Sequence, residues 1–240
     1  METILSQLWE KISVSSGTGG AETSKEPAAI DKRISYDLSD ALRHGALVSR
    51  LAAKTAKELG ESLQVQEEAA LAGMLHDIGK LKLGKYLYGR RKDALSIEEM
   101  KYMRMHPTFS YNILKREKMF SENVLKAVYH HHENYDGSGY PYNLKGKDIP
   151  WLARIIRPCD AFAALVSDRP YREAFDIDTA MELMIDEVKN FDMQVFLAFL
   201  SVIHSDDFET VRDIVDYNHE IYNQKAFDKL WETEVLQKVQ

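Results

Sequence analysis

The chain has 240 residues, of which 45% are hydrophobic and 29% charged, and its formal net charge is −7. A chain of this size can bury a core without disulfides, and its single cysteine, Cys159, permits no intramolecular one. The acidic balance argues against a general binder of DNA or RNA, because such binding neutralises backbone phosphates with basic side chains. No apolar run has the length of a signal peptide or a membrane span, so we expect a cytoplasmic protein without a membrane partner.

The chain order predicts four regions. Residues 1–14 predict a short amphipathic helix, and residues 15–34 predict a flexible linker because Gly, Ser and Thr dominate its first half. Residues 35–203 predict one helical domain, and residues 204–240 predict a C-terminal helical extension.

Apolar residues recur at three- and four-residue steps through the domain, which is typical of amphipathic helices. Alternation with a period of two residues, typical of strands, is not found. Residues 81–95 and 133–149 predict loops, and the second is long enough to be functional. The predicted helices cover 38–59, 65–78, 96–105, 107–118, 121–132, a segment from Pro150, 177–188, 192–203, 206–222 and 224–238. We therefore predict an all-α fold.

The C-terminal extension carries apolar residues that need a packing partner. One interpretation is packing on residues 1–14 or on a second subunit, which would give a homodimer. The other, which we favour, is a helical cap on the core. The residues concerned are Phe208, Val211, Ile214, Val215 and Ile221.

Histidines and carboxylates fall close together at the start of the domain. Asp40 and His44 are four residues apart, so they share one helix face. His76 and Asp77 are adjacent near the end of the next helix, and Lys80 follows four residues after His76.

The same residue types recur further along the chain. His106 precedes a proline, His131 and His132 end a helix, and Asp160 follows the long loop. Imidazole nitrogens mixed with carboxylate oxygens suit divalent Fe, Mn or Zn. Each residue taken singly fits an ordinary core or surface role, but together they favour a metal site.

Two motifs give the chain a family resemblance. The segments HDIGK (76–80) and HHENYDGSGYP (131–141) resemble the HD-GYP family of metal-dependent phosphodiesterases, and the similarity extends over 38–200. The resemblance implies an all-α HD-superfamily core with a buried His/Asp metal centre. It also implies hydrolysis of a cyclic dinucleotide, typically cyclic di-GMP, to pGpG or GMP.

The resemblance also implies a ligand set. His44 matches an upstream histidine of the family, and Asp40 stands where members with a third metal carry Glu. Two divalent ions are therefore implied, or three if Asp40 completes the third site, with iron ranked first and manganese second. The implied ligands of the two-metal centre are His76, Asp77, His106, His131, His132 and Asp160.

Catalytic and substrate-binding roles follow from the same resemblance. Asp77 would be the bridging carboxylate beside a hydroxide that attacks the phosphodiester. Lys80 matches the lysine that faces the substrate phosphates, and Tyr140 is the tyrosine of the GYP signature. Arg169 and Arg172 match arginines that contact phosphate or guanine.

Two departures from the family pattern bear on activity, and one proline bears on helix geometry. Ala163 stands where the family often has a second Asp, whose loss can weaken metal binding roughly 10–100-fold. Residues 81–95 lack the family's usual pattern, which bears on substrate choice. Pro158 lies inside a predicted helix and should kink it.

Other functions stay open at this point. A different cyclic dinucleotide such as cyclic GMP-AMP is the first alternative, and a non-catalytic cyclic-dinucleotide receptor is the second. A di-iron oxygenase is the third, although the GYP loop and the arginines favour phosphate chemistry. Ligand binding without metal would favour the receptor, and turnover that requires oxygen would favour the oxygenase.

Overall fold

The computed structural model describes residues 27–83, 96–167, 173–212 and 215, and only the backbone for residues 27–40 and Asp207. The chain divides into two compact units, Met1–Lys32 and Arg33–Gln240, and the site described below lies in the second. The described ranges contain helices and no strand, which confirms the all-α prediction. In these ranges no helix is long and apolar enough to cross a membrane.

Eight α-helices have both ends within the described residues, and residues 209–212 and 215 are helical as well. They are α1 Pro27–Glu58, α2 Leu63–Leu75, α3 Ile97–Met103, α4 His106–Glu117, α5 Glu122–His130, α6 Trp151–Leu165, α7 Ile177–Asp186 and α8 Met193–Ile203. Short 3₁₀ helices cover Ile78–Leu83, Gly146–Asp148, Val188–Asn190 and Asp206–Phe208.

Polar residues fix where several of these helices begin. The hydroxyls of Ser62 and Ser121 accept hydrogen bonds from backbone N–H groups in the first turns of α2 and α5. Ser96 and Glu99 form a capping box at the start of α3. Gly60 has φ +78°, a left-handed conformation that suits glycine, two residues after α1 ends.

Helix α6 is the centre of the packing. It contacts α2, α5, α7 and α8, while α4 packs on α5 and on the 3₁₀ helix Ile78–Leu83. The Thr55 hydroxyl of α1 lies 3.8 Å from the Cys159 sulfur of α6. Fully buried core side chains include Leu47, Leu51, Ile155, Ile156, Phe162 and Phe199.

The first residues of the C-terminal extension pack on this core. Phe208 is 2% exposed, and its ring centroid lies 6.2 Å from that of Phe162. Val211 and Val215 are buried as well. The predicted helix 224–238, most of 206–222 and the predicted helix 1–14 lie outside the described residues.

Three boundaries differ from the sequence prediction by three residues or more. Helix α1 begins at Pro27, so residues 27–34 of the predicted linker are helical, and proline suits a first helical position. Helix α2 ends at Leu75 instead of 78. The predicted loop 81–95 begins in 3₁₀ helix through Leu83, and its remainder is not among the described residues.

Candidate metal centre

The turn that carries His76 and Asp77 is fastened to α4 by a buried serine. The Ser110 hydroxyl donates to the backbone carbonyl of His76 at 2.6 Å and accepts from the N–H of Gly79 at 2.8 Å. Gly79 permits this approach, because a Cβ there would lie 2.3 Å from the His106 carbonyl oxygen. The contact therefore ends α2 early and brings His106 beside the His-Asp pair.

Three histidines are oriented in one way. The Nδ1 atom of each lies 2.7 Å from the backbone carbonyl oxygen three residues earlier. A carbonyl only accepts, so Nδ1 carries a proton in each ring, and Nε2 is the nitrogen left to face a metal ion. The pairs are His76 with Gly73, His106 with Met103, and His131 with Val128.

Two of these Nε2 atoms meet each other and a further histidine. Nε2 of His106 lies 3.1 Å from Nε2 of His131 and 3.1 Å from Nε2 of His132. Lone pairs that face each other repel, and a shared cation relieves that repulsion. The donor set therefore fits a metal ion, in the arrangement where the second ring nitrogen is held by a carbonyl.

Asp77 reaches two sides of the cluster. Its Oδ1 lies 3.1 Å from Nε2 of His106. Its Oδ2 lies 3.4 Å from Nε2 of His76 and 3.7 Å from Nε2 of His44. One carboxylate thus faces two groups of imidazoles, as a ligand shared by two ions would.

Asp160 of α6 lies on the other side. Its Oδ1 lies 3.0 Å from Nε2 of His44 and 3.4 Å from Nε2 of His76, and its Oδ2 lies 3.9 Å from Nδ1 of His132. Three groups could hold a metal ion, with ligand atoms within 4.8 Å of one another. They are Asp77 with His106, His131 and His132; His44 with His76 and Asp77; and His76 with His131 and Asp160.

Both carboxylates are ionised at neutral pH. Burial raises the pKa of Asp77, but the Lys80 ammonium and His76 outweigh it and hold the pKa well below its usual range. Burial likewise raises the pKa of Asp160, and hydrogen bonds from His44 and His76 hold it well below its usual range. The centre therefore carries two negative charges that a divalent cation would neutralise.

The imidazoles of the cluster differ from one another in their pKa values. Burial lowers the pKa of His131 and of His132 well below 6.5, so both rings are neutral at pH 7 and could act as ligands. Burial also lowers the pKa of His76, but the charges of Asp77 and Asp160 outweigh it and raise the pKa to about 10. A bound metal ion would displace that proton.

Tyr140 forms one wall of the centre. Its ring stacks on His132, with centroids 4.8 Å apart and planes at 26°, and the Arg104 guanidinium lies 5.4 Å from its centroid. Burial raises the pKa of Tyr140, so its hydroxyl keeps its proton. Gly139 lets the loop fold this tightly, because a Cβ there would lie 2.2 Å from the Asn134 nitrogen.

Glu133 supports that wall from inside. It is 1% exposed, and its two oxygens accept from the N–H groups of Tyr142 at 2.7 Å and Leu144 at 3.0 Å. The carboxylate therefore holds the loop segment that follows Tyr140.

Most of the predicted site residues lie together. Lys80 contacts Asp77 directly, and Tyr140 borders His132. The seven residues brought into one cluster are His44, His76, Asp77, His106, His131, His132 and Asp160. The Asp40 side chain, Arg169 and Arg172 lie outside the described residues, so their roles stay predictions.

Sequence reasoning missed the residues that support the cluster. Ser110 gives no signal of its own, because its role depends on a contact with a turn about 30 residues earlier in the chain. Glu133 directly follows the paired histidines, and its place inside the motif is a signal. Arg157 lies three residues before Asp160 in a mainly apolar helix segment, which is a further signal.

Comparisons with known proteins agree with this geometry. The cyclic di-GMP phosphodiesterase PA4108 of Pseudomonas aeruginosa is 32% identical over 76% of this chain and 44% of its own length. The 3'3'-cGAMP-specific phosphodiesterase 1 of Vibrio cholerae is 36% identical over 64% of this chain and 36% of its own. The chain thus spans less than half the length of these curated relatives.

A solved structure is similar as well. Bd1817, described as a HDG"Y"P protein from Bdellovibrio bacteriovorus, superposes with a TM-score of 0.56 at 25% identity, over 69% of this chain and 53% of its own. A family model described as HD domain matches residues 28–195, which is more than half of the chain. The His-Asp pair and its surrounding helices are therefore those of a known family, and this chain belongs to the HD domain family.

Proposed function

We propose that this chain is a metal-dependent phosphodiesterase of the HD-GYP type that hydrolyses cyclic di-GMP to pGpG or GMP. The observation that carries the proposal is the position of Asp77, which faces His106 with one oxygen and His76 with the other. The similarity to a cyclic di-GMP phosphodiesterase supports the choice of substrate.

The cluster would hold two divalent metal ions. Mixed imidazole and carboxylate ligands suit divalent iron, manganese or zinc, of which we propose iron first and manganese second. A third ion depends on Asp40. Bound ions would lower the pKa of a coordinated water and stabilise charge that develops on the phosphoryl oxygens.

The remaining residues would bind and orient the substrate. Lys80 would neutralise a phosphate oxygen, and its contact with Asp77 keeps it beside the cluster. The Tyr140 hydroxyl, held protonated by burial, would donate to the substrate. Arg169 and Arg172 would contact the other phosphate or a guanine.

Cyclic GMP-AMP is the second candidate substrate. The observation that favours it is the 36% identity to the 3'3'-cGAMP-specific enzyme of Vibrio cholerae. The two substrates share their phosphodiester groups and differ in one base, so only rates measured side by side separate them.

The test is hydrolysis by anaerobically purified protein loaded with Fe(II) or Mn(II). Each cyclic dinucleotide is followed by chromatography, and bound metal is quantified. Asp77→Asn should lower kcat roughly 100-fold or more by removing the shared ligand. Asp186→Asn, at an exposed position of α7, is the matched control and should keep full activity.

Two results would contradict the proposal. One is unchanged hydrolysis in Asp77→Asn. The other is no hydrolysis of either dinucleotide by protein that carries two metal ions. Tight binding without metal or turnover would then favour the receptor, and oxygen-dependent turnover would favour the oxygenase.

A further inference from the structure

Arg157 lies beside the cluster without a carboxylate partner. It is half-buried on α6, one turn before Asp160, and its Nε donates to the neutral Oδ1 of Asn134 at 2.9 Å. Its guanidinium carbon lies 5.6 Å from the ring centroid of Phe191. Within the described ranges it forms no ion pair, whereas Arg154, one turn earlier, pairs with an aspartate at 2.8 Å.

This arrangement leaves a positive charge uncompensated. Burial lowers the pKa of Arg157, although arginine stays charged at any physiological pH. Asp160 and Glu187 are near enough to oppose that shift, but neither pairs with it, and the Asp160 carboxylate lies against the rings of the cluster. A half-buried cation that forms no ion pair within the described residues loses part of its hydration without a paired carboxylate in return, so the position favours an anionic ligand.

The position is at the edge of the centre. Burial lowers the pKa of His132 and raises the pKa of Tyr140, and the charge of Arg157 acts on both of these residues at the border of the cluster. Lys80 contacts Asp77 directly. Both cations therefore lie beside the cluster, and of these two only Lys80 has a carboxylate partner among the described residues.

We infer that Arg157 binds a phosphate group of the nucleotide ligand on the Asp160 side of the centre. Its Nε is held by Asn134, so the two terminal NH₂ groups are left to donate to two phosphate oxygens. This inference rests on the proposed function, because the phosphate is that of the substrate or of its nucleoside 5′-phosphate product.

The first experiment measures GMP binding to metal-loaded protein by calorimetry. Arg157→Gln should weaken GMP binding roughly 10–100-fold, the usual effect of losing a charge-assisted hydrogen bond. Arg116→Gln, at an exposed position of α4, is the control and should bind GMP as the unaltered protein does. Unchanged GMP binding in Arg157→Gln would overturn the inference.

A second variant keeps Arg157 in place. Asn134→Asp has the same shape and sets a carboxylate against the guanidinium, so GMP binding should fall by a similar factor. Asn112→Asp, exposed on α4, adds the same charge elsewhere and should change nothing. Weakened binding in Arg157→Gln with full binding in Asn134→Asp would mean that the side chain acts by packing, which also overturns the inference.

The proposed function and the role of Arg157 can be rejected independently of each other. GMP binding needs no turnover, so an arginine-dependent loss of binding would support the inference even if neither dinucleotide is hydrolysed. Hydrolysis with GMP binding that does not respond to either variant would leave the proposed function intact and reject the role of Arg157.

Discussion

A single hydroxyl holds the turn that carries the His-Asp pair. Ser110 is fully buried, donates to the carbonyl of His76 and accepts from the N–H of Gly79. Both partners are backbone groups, so no neighbouring side chain replaces these bonds. The position of Asp77 against His106 therefore depends on a residue that is not itself a ligand.

Ser110→Ala should lower the free energy of unfolding by about 2–3 kcal/mol, because it leaves a buried donor and a buried acceptor without partners. Metal affinity should fall with it. Denaturant unfolding and metal titration measure the two effects. Ser201→Ala removes an exposed hydrogen bond to Glu58 and should cost less than about 0.5 kcal/mol. Equal effects of the two variants would contradict this account.

At the scale of elements, the long loop after α5 is the least regular part of the site and is built around a buried carboxylate. Glu133 accepts two backbone N–H groups, from Tyr142 and Leu144. Tyr140, on the same loop, stacks on His132. The order of this loop and the position of Tyr140 beside the candidate metal centre are therefore coupled.

Glu133→Gln should release this loop. One oxygen becomes an NH₂ group that faces a backbone N–H, so the free energy of unfolding should fall by about 1.5–3 kcal/mol. The amides of Tyr142 and Leu144 should exchange with solvent faster than those of α6. Glu182→Gln, exposed on α7, is the control. Unchanged protection of both amides would show that the carboxylate does not hold the loop.

The sequence predicted the elements better than their ends. Helical periodicity predicted the all-α fold, and the HD and GYP motifs predicted a family that the HD domain match confirms. The end of α2 was wrong by three residues, because a serine from α4 takes the carbonyl of His76. The periodicity of apolar residues indicates which face of a helix a residue occupies. It carries no information about tertiary contacts of this kind.

The same limit applies to the candidate site. Motif spacing brought the ligand residues to attention, and the structure places seven of them together. The hydrogen bond from Arg157 to Asn134 joins residues from α6 and the long loop, so no local pattern predicts it. What the sequence did show was an arginine between Arg154 and Asp160 in a mainly apolar segment.

At the scale of the whole molecule, metal binding should be linked to pH through His76. Without a bound metal ion, the charges of Asp77 and Asp160 raise the pKa of His76 to about 10. The metal-stripped protein therefore carries a second proton on His76 at pH 7.5. Metal binding should therefore release about one proton through this group, and affinity should rise with pH up to about 10 and fall as pH decreases.

Calorimetric titration of Mn(II) in buffers of different ionisation enthalpy measures this release. Asp160→Asn removes one of the two carboxylates that raise the pKa of His76, so the variant should release fewer protons at pH 7.5. Titration of the unaltered protein without any proton release would contradict the linkage.

The carbonyls that orient His76, His106 and His131 all belong to the last turns of helices. Gly73 lies at the end of α2, Met103 ends α3, and Val128 lies at the end of α5. Helix carbonyl ends carry partial negative charge, worth about 0.3–1 kcal/mol to a nearby cation at each end. Three peptide dipoles therefore point their negative poles at one place. This attraction does not titrate, so a preference for cations would persist where protonation has removed the charges of the carboxylates.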